Sequence, residues 1–186
     1  MADFLMQMGV SLSFLQLSAG IPSEKLHLLG EEDLRKYQMV TGGETNVKWG
    51  TEMRANIIYV RGARDSIYGK HKVMLAYAKD AGFMFWAVIE AQGRQEQLCA
   101  YGLVEIVING EDHRMDISSR CERFANDVDV ILMSKITNEE AAMIAYSNSF
   151  GVQIRFNGES EVFLGISAMD TTEGQDSLVT LYRSMS

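Results

Sequence analysis

Proline occurs once in these 186 residues, and neither a low-complexity tract nor a block of like charge interrupts them, which argues against long disordered tails. Positive charge is scarce. With 17 Lys and Arg against 25 Asp and Glu, the net charge of -8 excludes a sequence-independent nucleic-acid binder, because that task needs clustered cations to displace phosphate counterions. The densest basic group, Arg54, Arg61 and Arg64, reads as a solvated strand edge rather than a phosphate site. Long apolar runs are missing as well. The longest, Phe83 to Ile89, falls far short of the roughly 20 residues that cross a bilayer, so no membrane span is expected. No Lys or Arg precedes the first apolar segment and no small-residue cleavage site follows it before Pro22, so no signal peptide is read here. An export signal, if the natural protein has one, is expected upstream. Internal repeats are not visible either.

What the chain does have is enough apolar residue, 47%, to fill a sizeable core. Between Asp3 and Ala19, Phe4, Leu5, Met8, Leu12 and Leu15 recur at helical spacing while Met6, Val10, Phe14 and Leu17 cover much of the other side. A helix apolar nearly all round expects burial. Pro22 and Ser23 break it, and Gly30 to Asp33 opens a second short helix with its acids in the first turn, where the helix dipole favours them. Thr41 to Asn46 reads as a linker.

Beyond Trp49 the apolar period changes from helical to two. Strands are expected over Asn56 to Arg61, Lys72 to Ala78, Gly82 to Glu90, Leu98 to Asn109, His113 to Ser118 and Val128 to Met133. Asn109-Gly110 is the strongest hairpin cue. Thr137 to Glu140 can cap a helix carrying Ala141, Ile144 and Ala145, with Gly151 as its C-cap. A hairpin across Asn157 to Ser160 and a last helix from Gln175 to Arg183 complete the pattern. The expected fold class is α+β: an N-terminal helical segment followed by a mainly antiparallel β-rich domain with two helices. The expected divisions are residues 1–41, a linker over 42–50, and the β-rich domain over 51–186.

The opening segment is similar to the closing helices of Clp-protease-like, crotonase-fold proteins of the bacterial periplasm. Met8-Gly9-Val10-Ser11, Ile21-Pro22-Ser23, Leu28 to Tyr37 and Val40-Thr41 carry the resemblance, with Val152 to Asn157 and Gly165 to Ser167 resembling part of the β-rich domain that follows in that group. The resemblance implies that residues 1–41 are the tail of a Clp-like domain and that the protein is periplasmic or otherwise exported. The nucleophilic serine and oxyanion loop of that fold lie upstream of its terminal helices, so no catalytic residue carries over. Two functions are open: a non-catalytic binding or protein-interaction module of an exported bacterial protein, or a fragment of a Clp-like serine hydrolase whose catalytic domain lies upstream.

The residues themselves offer little chemistry. Gly165-Ile166-Ser167-Ala168-Met169 looks like a nucleophile turn but lacks the second glycine, and His27, His71 and His113 form no acid-base-nucleophile pattern with it. Asp127 and Asp129 would share a strand face, and Asp112, His113 and Asp116 with Glu111 would cluster at a hairpin tip; a solvated surface accounts for both without a metal. Trp49, Tyr59, Phe83, Phe85 and Trp86 read as sheet core more readily than as a ligand platform. Gly42 to Glu44 lacks the strand and helix of a phosphate cradle. No cofactor, metal or catalytic residue is assigned.

Cys99 and Cys121 are the only cysteines. A hairpin turning about Gly110 places them opposite each other, within reach of a disulfide, and also pairs Leu103 with Ile117. A tight Asn109-Gly110 turn shifts the register by one residue and sends the thiols to opposite faces. Export, implied by the resemblance, favours the bridge. The first helix presents more apolar surface than a monomer leaves in water, and a two-fold homodimer through Phe4, Leu5, Met8, Leu12, Phe14 and Leu15 is expected. Light scattering of the whole chain at tens of micromolar should return a dimer mass; a monomer mass would refute the interface.

Overall fold

Alternation of inward apolar and outward residues builds two antiparallel sheets over the part of the chain that the computed structural model describes, residues 46–186 apart from 67, 111 and 161. The first sheet has the strand order β1 (Lys48–Arg54), β2 (Ile57–Ser66), β3 (Gly69–Ala78), β4 (Gly82–Glu90), β8 (Asp129–Lys135), β7 (Cys121–Ala125). The second runs β10 (Leu164–Asp170), β9 (Ser149–Arg155), β5 (Leu103–Ile108), β6 (His113–Asp116). After four consecutive strands the chain crosses to the second sheet for β5 and β6, returns for β7 and β8, and crosses again for β9 and β10. Every pairing is antiparallel.

The inner faces of both sheets share one core. Val60, Val73, Leu75, Phe83, Phe85, Val130 and Leu132 come from the first sheet, and Val104, Ile106, Ile108, Phe150, Val152, Ile154 and Ile166 from the second. Phe85 and Phe150 meet edge to face across the gap, with ring centroids 6.4 Å apart. Truncating either ring to alanine would cost about 3–5 kcal/mol by the usual scale for buried aromatics.

Among the described residues three helices are interspersed with these strands, and this corrects the expected β-rich domain with two helices. The additional helix, α1 (Gln95–Ala100), lies between β4 and β5, where a strand was expected from Leu98 onwards. Gln92 and Gly93 adopt positive φ and turn the chain off β4, the Gln-Glu-Gln run then favours a helical turn, and Leu98 alone is buried. β1 and the edge strand β7 also escaped the sequence reading. Residues 1–45 lie outside the described residues, and with them the expected helical segment, residues 42–45 of the expected linker and the dimer residues Phe4, Leu5, Met8, Leu12, Phe14 and Leu15, while Lys48 to Gly50 of that linker belong to β1.

The helix α2 (Asn138–Ala145) opens on a complete capping box: Glu140 N donates to Thr137 Oγ1 at 3.2 Å and Thr137 N donates to Glu140 Oε2 at 2.8 Å. Arg120, on a short 3-10 turn (Ser118–Arg120), donates both guanidinium Nη groups to the same carboxylate and holds its pKa below the ordinary 4.5. The helix stops at Ala145 with Tyr146 as C-cap, so Gly151 is not its cap and instead stands in the middle of β9. Its role there is close approach. A Cβ on Gly151 would lie 2.4 Å from the Ile166 carbonyl oxygen and 2.9 Å from Ala168 N, at the place where β10 bulges between Ile166 and Met169. The last helix, α3 (Gln175–Met185), buries Leu178 and Leu181, packs on α2 and sets Tyr182 against Phe83 at 5.7 Å.

The Gly151→Ala variant should lose about 1–3 kcal/mol or more in urea unfolding, because the opposing atoms are backbone and cannot rotate away. Gly50→Ala, with nothing within 4 Å of the added carbon, should stay within about 0.5 kcal/mol of the parent. Equal stability of the two variants would refute the close packing of β9 on β10.

Candidate functional site

Position parity along β2 and β3 decides which polar side chains face inward. Arg64 follows Val60 and Gly62 at two-residue steps, and His71 precedes Val73 and Leu75 in the same way, so both belong to the core face. The register makes Arg64 and His71 direct cross-strand partners, which puts their Cβ atoms about 5 Å apart. They are only 7% and 4% exposed, unusual for residues of this polarity.

These two side chains line a cleft of about 440 Å³ at the end of the first sheet. Ile89, Glu90 and Ala91 close one wall where β4 ends, Leu98 of α1 adds to it, and the chain from Val162 to Gly165 with Ser167 supplies the other. Arg64 Nη2 donates to Ser167 Oγ at 2.6 Å and, more weakly, to the Ser167 carbonyl oxygen at 3.4 Å. Glu90 is anchored at the rim, accepting Lys70 N at 2.9 Å, and Arg94 lines the mouth. The bulge in β10 turns Ser167 toward this cleft, and Gly165 permits the approach: at φ +119° its missing Cβ would lie 2.4 Å from Val152 O. Volume, apolar walls and a few converging polar groups are the usual makings of a small-molecule site.

Ser167 thus occupies a strand bulge, not a strand-to-helix turn, and its hydroxyl oxygen accepts from a guanidinium. That partner cannot take a proton, since arginine stays charged at any ordinary pH and offers no acceptor. The other sequence candidates are dispersed. Asp129 starts β8 while Asp127 sits in the bend before it, so the two carboxylates do not share a strand face. His113 and Asp112 are exposed at the β5–β6 hairpin, and Asp116 holds the backbone and hydroxyl of Ser118 at 2.8 and 2.5 Å, which keeps its carboxyl below the usual range. No group of three or more metal-ligating side chains stands together among the described residues.

The aromatic residues divide between faces: Phe83 and Phe85 are core, Trp49 packs on Phe150 at 5.8 Å, and Tyr59 with Trp86 form a pair on the opposite face of the first sheet. Arg54 is exposed and Arg61 is bound to Glu52, donating from Nε at 2.9 Å and Nη2 at 2.5 Å, as a solvated edge requires; Arg64 departs from that reading. The parity of position 64 with Val60 and Gly62 was the available signal.

Both cysteines are free thiols. Ile108 pairs with His113 and Glu105 with Asp116, a register one residue away from the one that would set Cys99 opposite Cys121. Cys99 also belongs to α1, not to a strand, and Cys121 pairs instead with Ser134. Burial pushes the Cys121 thiol above its ordinary pKa of 9.0.

No family model matches the chain, and no curated protein or solved structure matches it.

A fluorophosphonate probe reacts with serines made nucleophilic by a neighbouring base, and a guanidinium partner gives no such activation. Incubation of the whole chain with the probe should leave Ser167 unmodified by mass spectrometry. Stoichiometric labelling at Ser167 would overturn this assignment.

Proposed function

We propose that this chain is a non-catalytic binding module that acts by capturing a small ligand in the cleft between β2–β3, α1 and β10. The single observation that carries the reading is the buried Arg64, fixed on the β2–β3 strand pair and joined to Ser167, in the lining of a cleft that has both polar and apolar walls. A charge buried this deeply costs stability unless its interactions repay the lost hydration, and this one stands in the lining of the cleft. The donors also sit on strands and not on loops, which holds them ready for a ligand at little entropic cost.

The resemblance of the opening residues supports placing the module in an exported, Clp-like bacterial protein, and the apolar character of Phe4 to Leu15 supports its assembly as a homodimer. Binding rather than hydrolysis is favoured by the partner of Ser167, which orients a hydroxyl without activating it.

A fragment mixture screened against the isotope-labelled whole chain by amide chemical shifts tests this directly. Hits should perturb Ala91, Gly165 and Ser167 together, and Leu98→Trp, which fills the cleft, should abolish the response. A screen in which bound fragments perturb other residues, or none at all, would refute the cleft as the binding site.

A further inference from the structure

We propose that Asn157, and not Asn109, is a site of spontaneous covalent modification, at which the side-chain amide leaves as ammonia and aspartate or isoaspartate takes its place. Asn109 and Asn157 both precede a glycine, while the other asparagines are followed by Val47, Ile57, Asp127, Glu139 and Ser149. Glycine is the reactive neighbour. The reaction begins when the following backbone nitrogen attacks the asparagine Cγ, and a side chain on the attacking residue obstructs the approach.

Both glycines have open space where a Cβ would stand, so access does not separate the two sites. Hydrogen bonding does. At the first site Gly110 N, the attacking group, donates to Ser149 Oγ at 3.0 Å, and Asn109 Oδ1 accepts Asn148 N at 2.8 Å. Asn109 N donates to the Ser149 carbonyl oxygen at 2.8 Å, and the pairing of Ile108 with His113 closes the hairpin that holds Asn109 at φ +52°. Neither the nitrogen nor the amide is free to swing into a succinimide ring.

At the second site Gly158 N has no acceptor among the described residues, and Asn157, Gly158 and Glu159 are exposed to water. Asn157 Oδ1 accepts Glu159 N at 3.1 Å, which folds the amide over the peptide it must react with. As Gly158 N closes on Cγ, negative charge grows on that same oxygen, and the Glu159 N–H is already aimed at it.

Hydroxide removes the Gly158 N proton, the nitrogen bonds to Cγ, and the bond from Cγ to Nδ2 breaks, with Nδ2 leaving as ammonia after taking a proton from water. Water then opens the succinimide at either carbonyl. One opening gives aspartate and the other isoaspartate, without any change of oxidation state. The product adds a negative charge and, as isoaspartate, one main-chain carbon just ahead of the Gly158 and Ser160 carbonyls that Arg155 holds, each at 3.2 Å.

The test holds the whole chain in mildly alkaline buffer, folded or unfolded by urea, and follows both Asn-Gly peptides by mass-spectrometric mapping, with isoaspartate read by enzymatic carboxyl methylation. In urea the two sites should convert at similar rates. In the folded chain Asn157 should stay within about threefold of its unfolded rate while Asn109 slows at least about tenfold, the loss expected when reacting groups are held out of line. Gly158→Ala should slow conversion at Asn157 severalfold and leave folding intact, since the added carbon meets nothing within 4 Å. Folding that protects Asn157 as much as Asn109, faster loss at Asn109 in the folded chain, or an unaltered Asn157 rate in Gly158→Ala would each overturn the proposal.

Discussion

Trp49 lies against two glycines, and both sheets depend on that contact. A Cβ on Gly62 would stand 2.7 Å from the indole and one on Gly174 only 2.3 Å, so the ring occupies space that any other residue would deny it. The indole Nε1 donates to the Asp170 carbonyl oxygen at 3.0 Å, at the end of β10, and the ring packs on Phe150 of β9. One side chain on β1 thereby touches β2, both neighbouring strands of the second sheet, and the start of α3. Large aromatic rings carry much of a core's burial energy, and this one also sets where the sheets meet. The ring contact between Phe85 and Phe150 continues the same seam inward.

The cleft opens next to that seam, towards the C-terminal end of β2. Arg64 lies on the same face as Gly62, one step further along the strand, so the alternation that brings the glycine under Trp49 also brings the guanidinium into the cleft. The second sheet supports the other wall through a buried polar network on its outer face. Glu105, only 8% exposed, accepts from Arg114 at 3.2 Å and from Arg155 through both Nε and Nη2, and Arg114 also donates to Gln153 at 2.8 Å. Arg155 in turn donates to the carbonyl oxygens of Gly158 and Ser160, tying down part of the chain that leads from β9 to the cleft. Burying such a network is not a source of great stability, but its directionality fixes strand register.

Much of the fold was legible in local pattern. Strong alternation located β3, β4 and β8, the Thr137 to Glu140 run announced its capping box, and α3 followed from its apolar spacing. The misses share a cause. α1 is six residues with one buried side chain, β1 has an almost wholly solvated outer half, and β7 is a short edge strand whose residues are mostly exposed, so none carries enough buried surface to leave a period in the sequence. Gly151 looked like a helix cap because glycine marks both caps and close approaches, and only the position of β10 distinguishes them.

The sequence by itself determined the two-residue-period character of the region after Trp49 and, within it, the strands β3, β4 and β8. Those are properties of composition and spacing, set by what each residue can bury on one side of a strand. Which sheet each strand joined, the hairpin register that separates Cys99 from Cys121, and the meeting of Arg64 with Ser167 were decided only by tertiary structure. The reason is sequence separation: the partners of that last contact are 103 positions apart, and nothing local to either records the other.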